Sequence, residues 1–100
     1  MTITSAGAEI TIKRQDDFEI VYAISIPASE QLLTDLINHK DRECKYRAGK
    51  TAKKMLRDAL QAGFGVDGDT VLPKIYDSFD TIKSGNPMLV GFAVVDSEAA

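Results

Sequence analysis

Four consecutive residues, Ala48-Gly49-Lys50-Thr51, resemble the end of a phosphate-binding loop, G-x-x-x-x-G-K-[ST], in which backbone N–H groups and the lysine hold phosphate oxygens. The first glycine of that pattern would stand at position 44, which is Cys44, and no strand is expected to lead into the segment. A weaker version survives if a helix begins anew near Thr51. Its free N–H groups, its dipole and Lys50 would then favour a phosphate or carboxylate. Otherwise Gly49 sits inside a continuous helix, at a cost of about 1 kcal/mol relative to alanine. Gly63-Phe64-Gly65-Val66-Asp67-Gly68 matches G-x-G-x-x-G, but a helix is expected before it. The tight strand-to-helix turn that makes this pattern bind dinucleotides is therefore missing. The glycines read as cap and turn residues, with Phe64 plugging the core. Asp67-Gly68-Asp69 begins like a calcium loop but lacks the later oxygen ligands and the closing glutamate. His39 is the only histidine and has no nucleophile or carboxylate at a catalytic spacing, so it reads as a helix-end or surface residue. Cys44 is the only cysteine, which excludes an internal disulfide or a cysteine metal cluster, and its place in the helical pattern predicts an inert, buried thiol. These residues predict no catalytic group, metal or cofactor. The expectation is a protein that is not an enzyme.

Charge carries the stronger signal. Residues 40–57 hold eight of the twelve Lys and Arg residues and only Asp41 and Glu43 as acids, giving the window a net charge of +6. The whole chain sums to -3, so the remainder carries -9, four basic residues against thirteen acidic ones. At 100° per residue, Lys40, Arg42, Arg47, Lys50, Lys53, Lys54 and Arg57 fall within an arc of roughly 160°, with Tyr46 among them and Lys45 outside. Cys44, Ala48, Ala52, Met55, Ala59 and Ala62 take the other side, with Leu56 and Leu60 at its edge. The pattern predicts an amphipathic helix. Six like-charged pairs stand three or four residues apart along it, each costing about 0.2 to 0.5 kcal/mol. Asp41 to Lys45, Glu43 to Arg47 and Lys54 to Asp58 offset part of this. The repulsion left over points to an anionic partner, because a merely solvated face would intersperse its signs.

The elements that would position this helix follow from periodicity. Ile10 and Ile12 alternate with polar residues, as do Phe18, Ile20, Tyr22, Ile24 and Ile26, which predicts two half-buried strands. Gln15, Asp16 and Asp17 supply a hairpin turn between them. Pro27 ends the second strand, and Ser29 caps a helix containing Leu32, Leu33, Leu36 and Ile37, with Asn38 or His39 at its end. Gly63 can terminate the basic helix. Asp69 or Thr70 would cap a third helix, with Val71, Leu72, Ile75, Tyr76, Phe79 and Ile82 on one side and Pro73 in its first turn. Residues 88–95 are apolar on both faces, which predicts a strand covered on both sides. The expected architecture is a single small α+β domain over residues 1–100: a three-stranded antiparallel or mixed sheet, in β-β-α-α-α-β order, with helices on one face. No apolar run approaches 18 residues, and the first seven residues have neither a basic start nor an apolar stretch. A cytoplasmic protein with no membrane association is expected, with residues 97–100 frayed.

Residues 23–60 bear a partial resemblance to ribbon-helix-helix DNA-binding proteins: a strand, a helix, then a second helix opening with Gly49-Lys50-Thr51 and running Met55-Leu56-Arg57-Asp58-Ala59-Leu60. The resemblance implies Thr51 as a cap near phosphate and the strand as a base reader. The chain departs from the pattern at three points. Lys50 stands where an apolar residue is usual, the first helix is several residues too long, and Val21, Ala23 and Ser25 have almost no hydrogen-bonding reach to bases. The likeness assigns no family. From the residues themselves, the expected function is non-enzymatic binding through the helix of residues 40–57. Arg42, Tyr46, Arg47, Lys50, Lys53, Lys54 and Arg57 would meet nucleic acid, the cations on phosphates and Tyr46 by stacking. The alternative is an adaptor or inhibitor, such as a regulatory protein of a phage or other mobile element, that uses the same face against an acidic protein surface or its acidic remainder against a basic one. A sequence pI near 5.0 favours that alternative and the basic helix opposes it.

Overall fold

The computed structural model describes residues 2–5, 7–38, 40–64 and 74–96. In chain order these form β1 (Thr2–Ser5), β2 (Ala8–Gln15), β3 (Glu19–Pro27), α1 (Glu30–Ile37), α2 (Arg42–Phe64), β4 (Lys74–Ser78), α3 (Asp80–Lys83) and β5 (Met88–Asp96). The α+β class agrees with the sequence. The sheet has five strands rather than three, in the order β1-β2-β3-β5-β4, and every pairing is antiparallel.

The hairpin between β2 and β3 forms where the turn residues predict it. The carboxylate of Asp16 accepts hydrogen bonds from the N–H groups of Phe18 at 2.8 Å and Glu19 at 2.9 Å, closing the turn through a side chain. Phe18 therefore belongs to the turn and not to the strand, and its ring is 79% exposed. Alternation in β3 buries Ile20, Tyr22 and Ile24 on the inner face. A bulge between Ile12 and Arg14 sets Lys13 and Arg14 together opposite Val21. Arg14 pairs there with Asp16 and Glu19.

Ser29 caps α1 as predicted, its side chain accepting from the Leu32 N–H at 3.2 Å, and Asn38 closes the far end. Leu32 is buried and Leu36 half-buried, whereas Ile37 projects into solvent at the end of the helix. Asp41 starts α2, its carboxylate accepting from the Glu43 N–H at 2.8 Å and the Cys44 N–H at 3.4 Å. From there α2 runs without a break through Gly49 and one residue past Gly63 to Phe64. No second helix begins near Thr51. Ala48, Ala52, Leu56, Ala59 and Leu60 are buried against the sheet, whereas Ala62 is exposed.

The predicted third helix is not what forms. Residues 74–78 make strand β4 and residues 80–83 a single helical turn, α3. Ile75, Phe79 and Ile82 do share a side, each half-buried against the core, but through a strand, a turn and a helical turn in succession. Local periodicity could not separate the two outcomes, because β4 exists only by pairing with β5, Ile75 opposite Ala93 and Tyr76 opposite Phe92. The expected cap at Asp69 or Thr70, Val71, Leu72 and Pro73, the glycine turn of residues 65–68, the side chain of Phe64, His39 and the tail from residue 97 lie outside the described residues.

The inner face of the sheet carries Ile10, Tyr22, Ile24, Leu89, Ala93 and Val95, all buried. α2 lies across this face and touches all five strands, and α1 leans on α2. Small residues at 48, 52 and 59 let the helix approach closely, and Gly91 does the same from the sheet. A Cβ on Gly91 would stand 2.4 Å from Leu56 Cδ1 and 2.6 Å from the Tyr76 carbonyl oxygen. The outer face of β5 is open, contrary to the sequence expectation: among the described residues no helix covers it, and Phe92 is 40% exposed there. No described helix is long and apolar enough to cross a membrane.

Candidate functional site

The helix that seals the core turns its other side to solvent, and the basic residues occupy that side. Arg42, Tyr46, Lys50, Lys53, Lys54 and Arg57 are all exposed, as are Lys40 in the turn before the helix and Arg47 on its flank. With a rise of about 1.5 Å per residue, the fifteen steps from Arg42 to Arg57 extend the basic row along roughly 23 Å of helix. Among the described residues, Arg42, Lys50, Lys53, Lys54 and Arg57 are joined to no carboxylate. The expected Asp41 to Lys45 and Lys54 to Asp58 contacts do not close into ion pairs. The side chains are held apart from the core by a helix whose inner stripe, Ala48, Ala52, Leu56, Ala59 and Leu60, is buried.

Arg47 is placed differently. It points to α1 rather than outward, its Nε lying 3.1 and 3.0 Å from the two carboxylate oxygens of Asp35 and its Nη2 2.7 Å from Oδ1. Asp35 is 1% exposed, and Gln31 Nε2 also donates to it at 3.2 Å. The Arg47 hydrogen bonds, joined by that of Gln31, hold the Asp35 carboxyl below the ordinary carboxylate value against the opposing effect of burial, and the Arg47 value is raised in turn. Glu43 was the expected partner one helical turn away. The observed one lies twelve residues away in another helix. Arg47 thus ties α1 to α2, and the outward charge of the site rests on the other cations.

Gly49 lies on the exposed side, in ordinary helical backbone, and a Cβ added to it would meet nothing within 4 Å. A shallow hollow of about 410 Å³ lies over it, lined by Arg42, Lys45, Tyr46, Gly49, Lys50 and Lys53. Lys45, outside the basic arc of an ideal helical wheel, joins the site here because its long stem reaches the hollow's edge. Tyr46 is 66% exposed beside it, with Lys50 Nζ 4.8 Å from its ring centroid, a cation–π contact that positions both side chains. Its ring does not fold onto the core. The hollow joins four cations and an amphipathic ring around bare backbone, a surface suited to a phosphate-bearing or carboxylate-bearing chain lying close to the helix axis.

Cys44 is half-buried rather than buried, and Arg47 Nη2 lies 3.7 Å from its sulfur. No group of three or more His, Cys, Asp or Glu side chains is arranged to hold a metal ion among the described residues. β3, the strand that a ribbon-helix-helix reading would offer to DNA, is paired on both edges in mid-sheet, by β2 and β5. No family model matches the chain, and neither a curated protein nor a solved structure matches it.

Proposed function

We propose that this protein is a small, non-enzymatic binding protein that docks nucleic acid on the outer side of α2. One observation carries the reading: five cations without carboxylate partners among the described residues, Arg42, Lys50, Lys53, Lys54 and Arg57, stand along one side of a helix whose opposite side packs against the sheet. A folding role for them is unsupported, since all five are exposed and Lys50, Lys53, Lys54 and Arg57 repel one another at three- and four-residue spacings. Against a phosphate backbone the same repulsion is relieved and counterions are released. The contacts are to phosphates, which position a partner without reading its sequence. Tyr46 adds a ring that can stack on an unpaired base.

An acidic protein surface is the second reading, and the acidic balance of the chain favours it: a protein with pI near 5.0 carries a net negative charge that works against association with nucleic acid. Affinity capture with and without nuclease separates the two. A nucleic-acid partner is lost on nuclease treatment, an acidic protein survives it, and both are lost in the Lys50→Glu/Lys53→Glu variant. Retention of either partner by that variant, with its fold intact, would remove α2 as the binding element.

A further inference from the structure

The outer face of the sheet, turned away from α2, is uncovered among the described residues and arranged in three cross-strand rows. The middle row is Thr11, Ala23, Phe92 and Tyr76. One flanking row is Glu9, Ser25, Val90 and Ser78, and the other is Val21, Val94 and Lys74, with Lys13 and Arg14 opposite Val21 at the bulge. Phe92 and Tyr76 stand side by side at 40% and 56% exposure, and Val21, Ala23, Val90 and Val94 are half-exposed around them. An apolar, aromatic patch of this kind, rimmed by charges of both signs, is characteristic of a protein–protein contact.

We infer that a second copy of this chain docks here, sheet against sheet, about a two-fold axis that crosses the strands along the Phe92 row. The charges select both the occupant and the axis. A two-fold across the strands lays each strand over its own copy in reverse, so Glu9 at one end of β2 falls on Lys13 of the second copy, and Lys13 on Glu9. Phe92 meets Phe92, Tyr76 meets Tyr76, Val90 meets Val94, and Lys74 falls on the neutral Ser78. A two-fold along the strands would instead lay β2 over β4 and set Lys13 on Lys74. The pattern is therefore self-complementary in one of the two sheet-on-sheet arrangements and repulsive in the other. Four strands spaced about 4.8 Å, over six residues rising about 3.3 Å each, give a footprint of roughly 20 by 20 Å, and with side-chain relief a total buried area of about 1,000 Å². That lies at the small end of specific interfaces and corresponds to a reversible dimer with Kd on the order of 10 to 100 µM.

Sedimentation equilibrium of the full chain over about 5 to 500 µM tests this, since the range brackets the expected Kd. The unaltered protein should pass from monomer to dimer and stop there, because a two-fold contact closes. Phe92→Glu should remain monomeric with an unchanged circular dichroism spectrum, and Tyr76→Glu serves if that variant fails to fold. Lys13→Glu should weaken the dimer about tenfold by setting like charges together twice, and Glu9→Lys/Lys13→Glu should restore it. A chain that stays monomeric at the highest concentration, assembles without limit, dimerises regardless of Phe92→Glu and Tyr76→Glu, or dimerises more tightly with Lys13→Glu would overturn the inference. The α2 surface lies on the opposite layer, so none of these variants alters it, and failure here leaves the proposed function standing or falling on its own test.

Discussion

Replacing Gly49 with alanine separates the stability of α2 from its use as a surface. Gly49 occupies the interior of a 23-residue helix in ordinary helical backbone, and an added Cβ meets nothing within 4 Å. The substitution therefore brings no clash and no strain. It removes backbone freedom from the unfolded chain, so Gly49→Ala should stabilise the protein by about 0.5 to 1 kcal/mol. For a domain of this size that corresponds to a rise of roughly 4 °C in Tm. Urea and thermal melts followed by helical circular dichroism measure the gain. A glycine that costs stability and fills no structural need points to a partner that comes close to the helix at that point. Gly49→Leu, which fills the hollow between Tyr46 and Lys53, should then lower affinity for the anionic partner by about fivefold or more, while leaving the melts at least as stable as those of the parent. A destabilised Gly49→Ala would show that the fold requires the glycine, and unchanged binding by Gly49→Leu would show that the hollow is not a contact point.

The close approach of α2 to the sheet predicts that Gly91→Ala, which drives a Cβ against Leu56 and the Tyr76 carbonyl, costs about 1 to 3 kcal/mol in urea melts, with part of the loss recovered by Leu56→Val. Asp35 titrates below its ordinary value because Arg47 and Gln31 donate to it. Its contribution is therefore fully present above the unfolded value of about 3.9 and is lost as pH falls through the lower folded one. The stability difference between the parent and Asp35→Asn should accordingly be flat near neutral pH and shrink below about pH 4, and a difference that moved between pH 5 and 8 would contradict the assignment.

The hairpin, the Ser29 cap and the inner stripe of α2 were legible in the sequence because each is set by residues within a turn or two of one another. Asp16 closes its own turn, and Ala48, Ala52, Leu56 and Ala59 recur at helical spacing whatever they pack against. β4 was not legible, since Ile75, Phe79 and Ile82 satisfy helical spacing equally well and only the pairing with β5 decides the matter. The two apolar faces of residues 88–95 imply cover on both sides, whereas one meets α2 and the other is open among the described residues. At the candidate site, the exposure of Lys50, Lys53, Lys54 and Arg57 follows from the wheel. The withdrawal of Arg47 does not, because Asp35 lies on a different helix and nothing in local spacing marks it as a partner. Gly49 stood out in the sequence as a phosphate-loop fragment, and its significance changes in an unbroken helix, where the missing side chain shapes a surface rather than a turn.

The central claim, that α2 meets a polyanion through charge, is tested most directly by the salt dependence of binding. With about four phosphates neutralised, the slope of log affinity against log salt should be near -3.6 on duplex DNA or about -2.8 on a single strand, and Lys50→Glu/Lys53→Glu should abolish binding in an otherwise folded protein. Binding that is undetectable on both DNA and RNA at about 50 mM salt, or tight binding indifferent to salt, would contradict it.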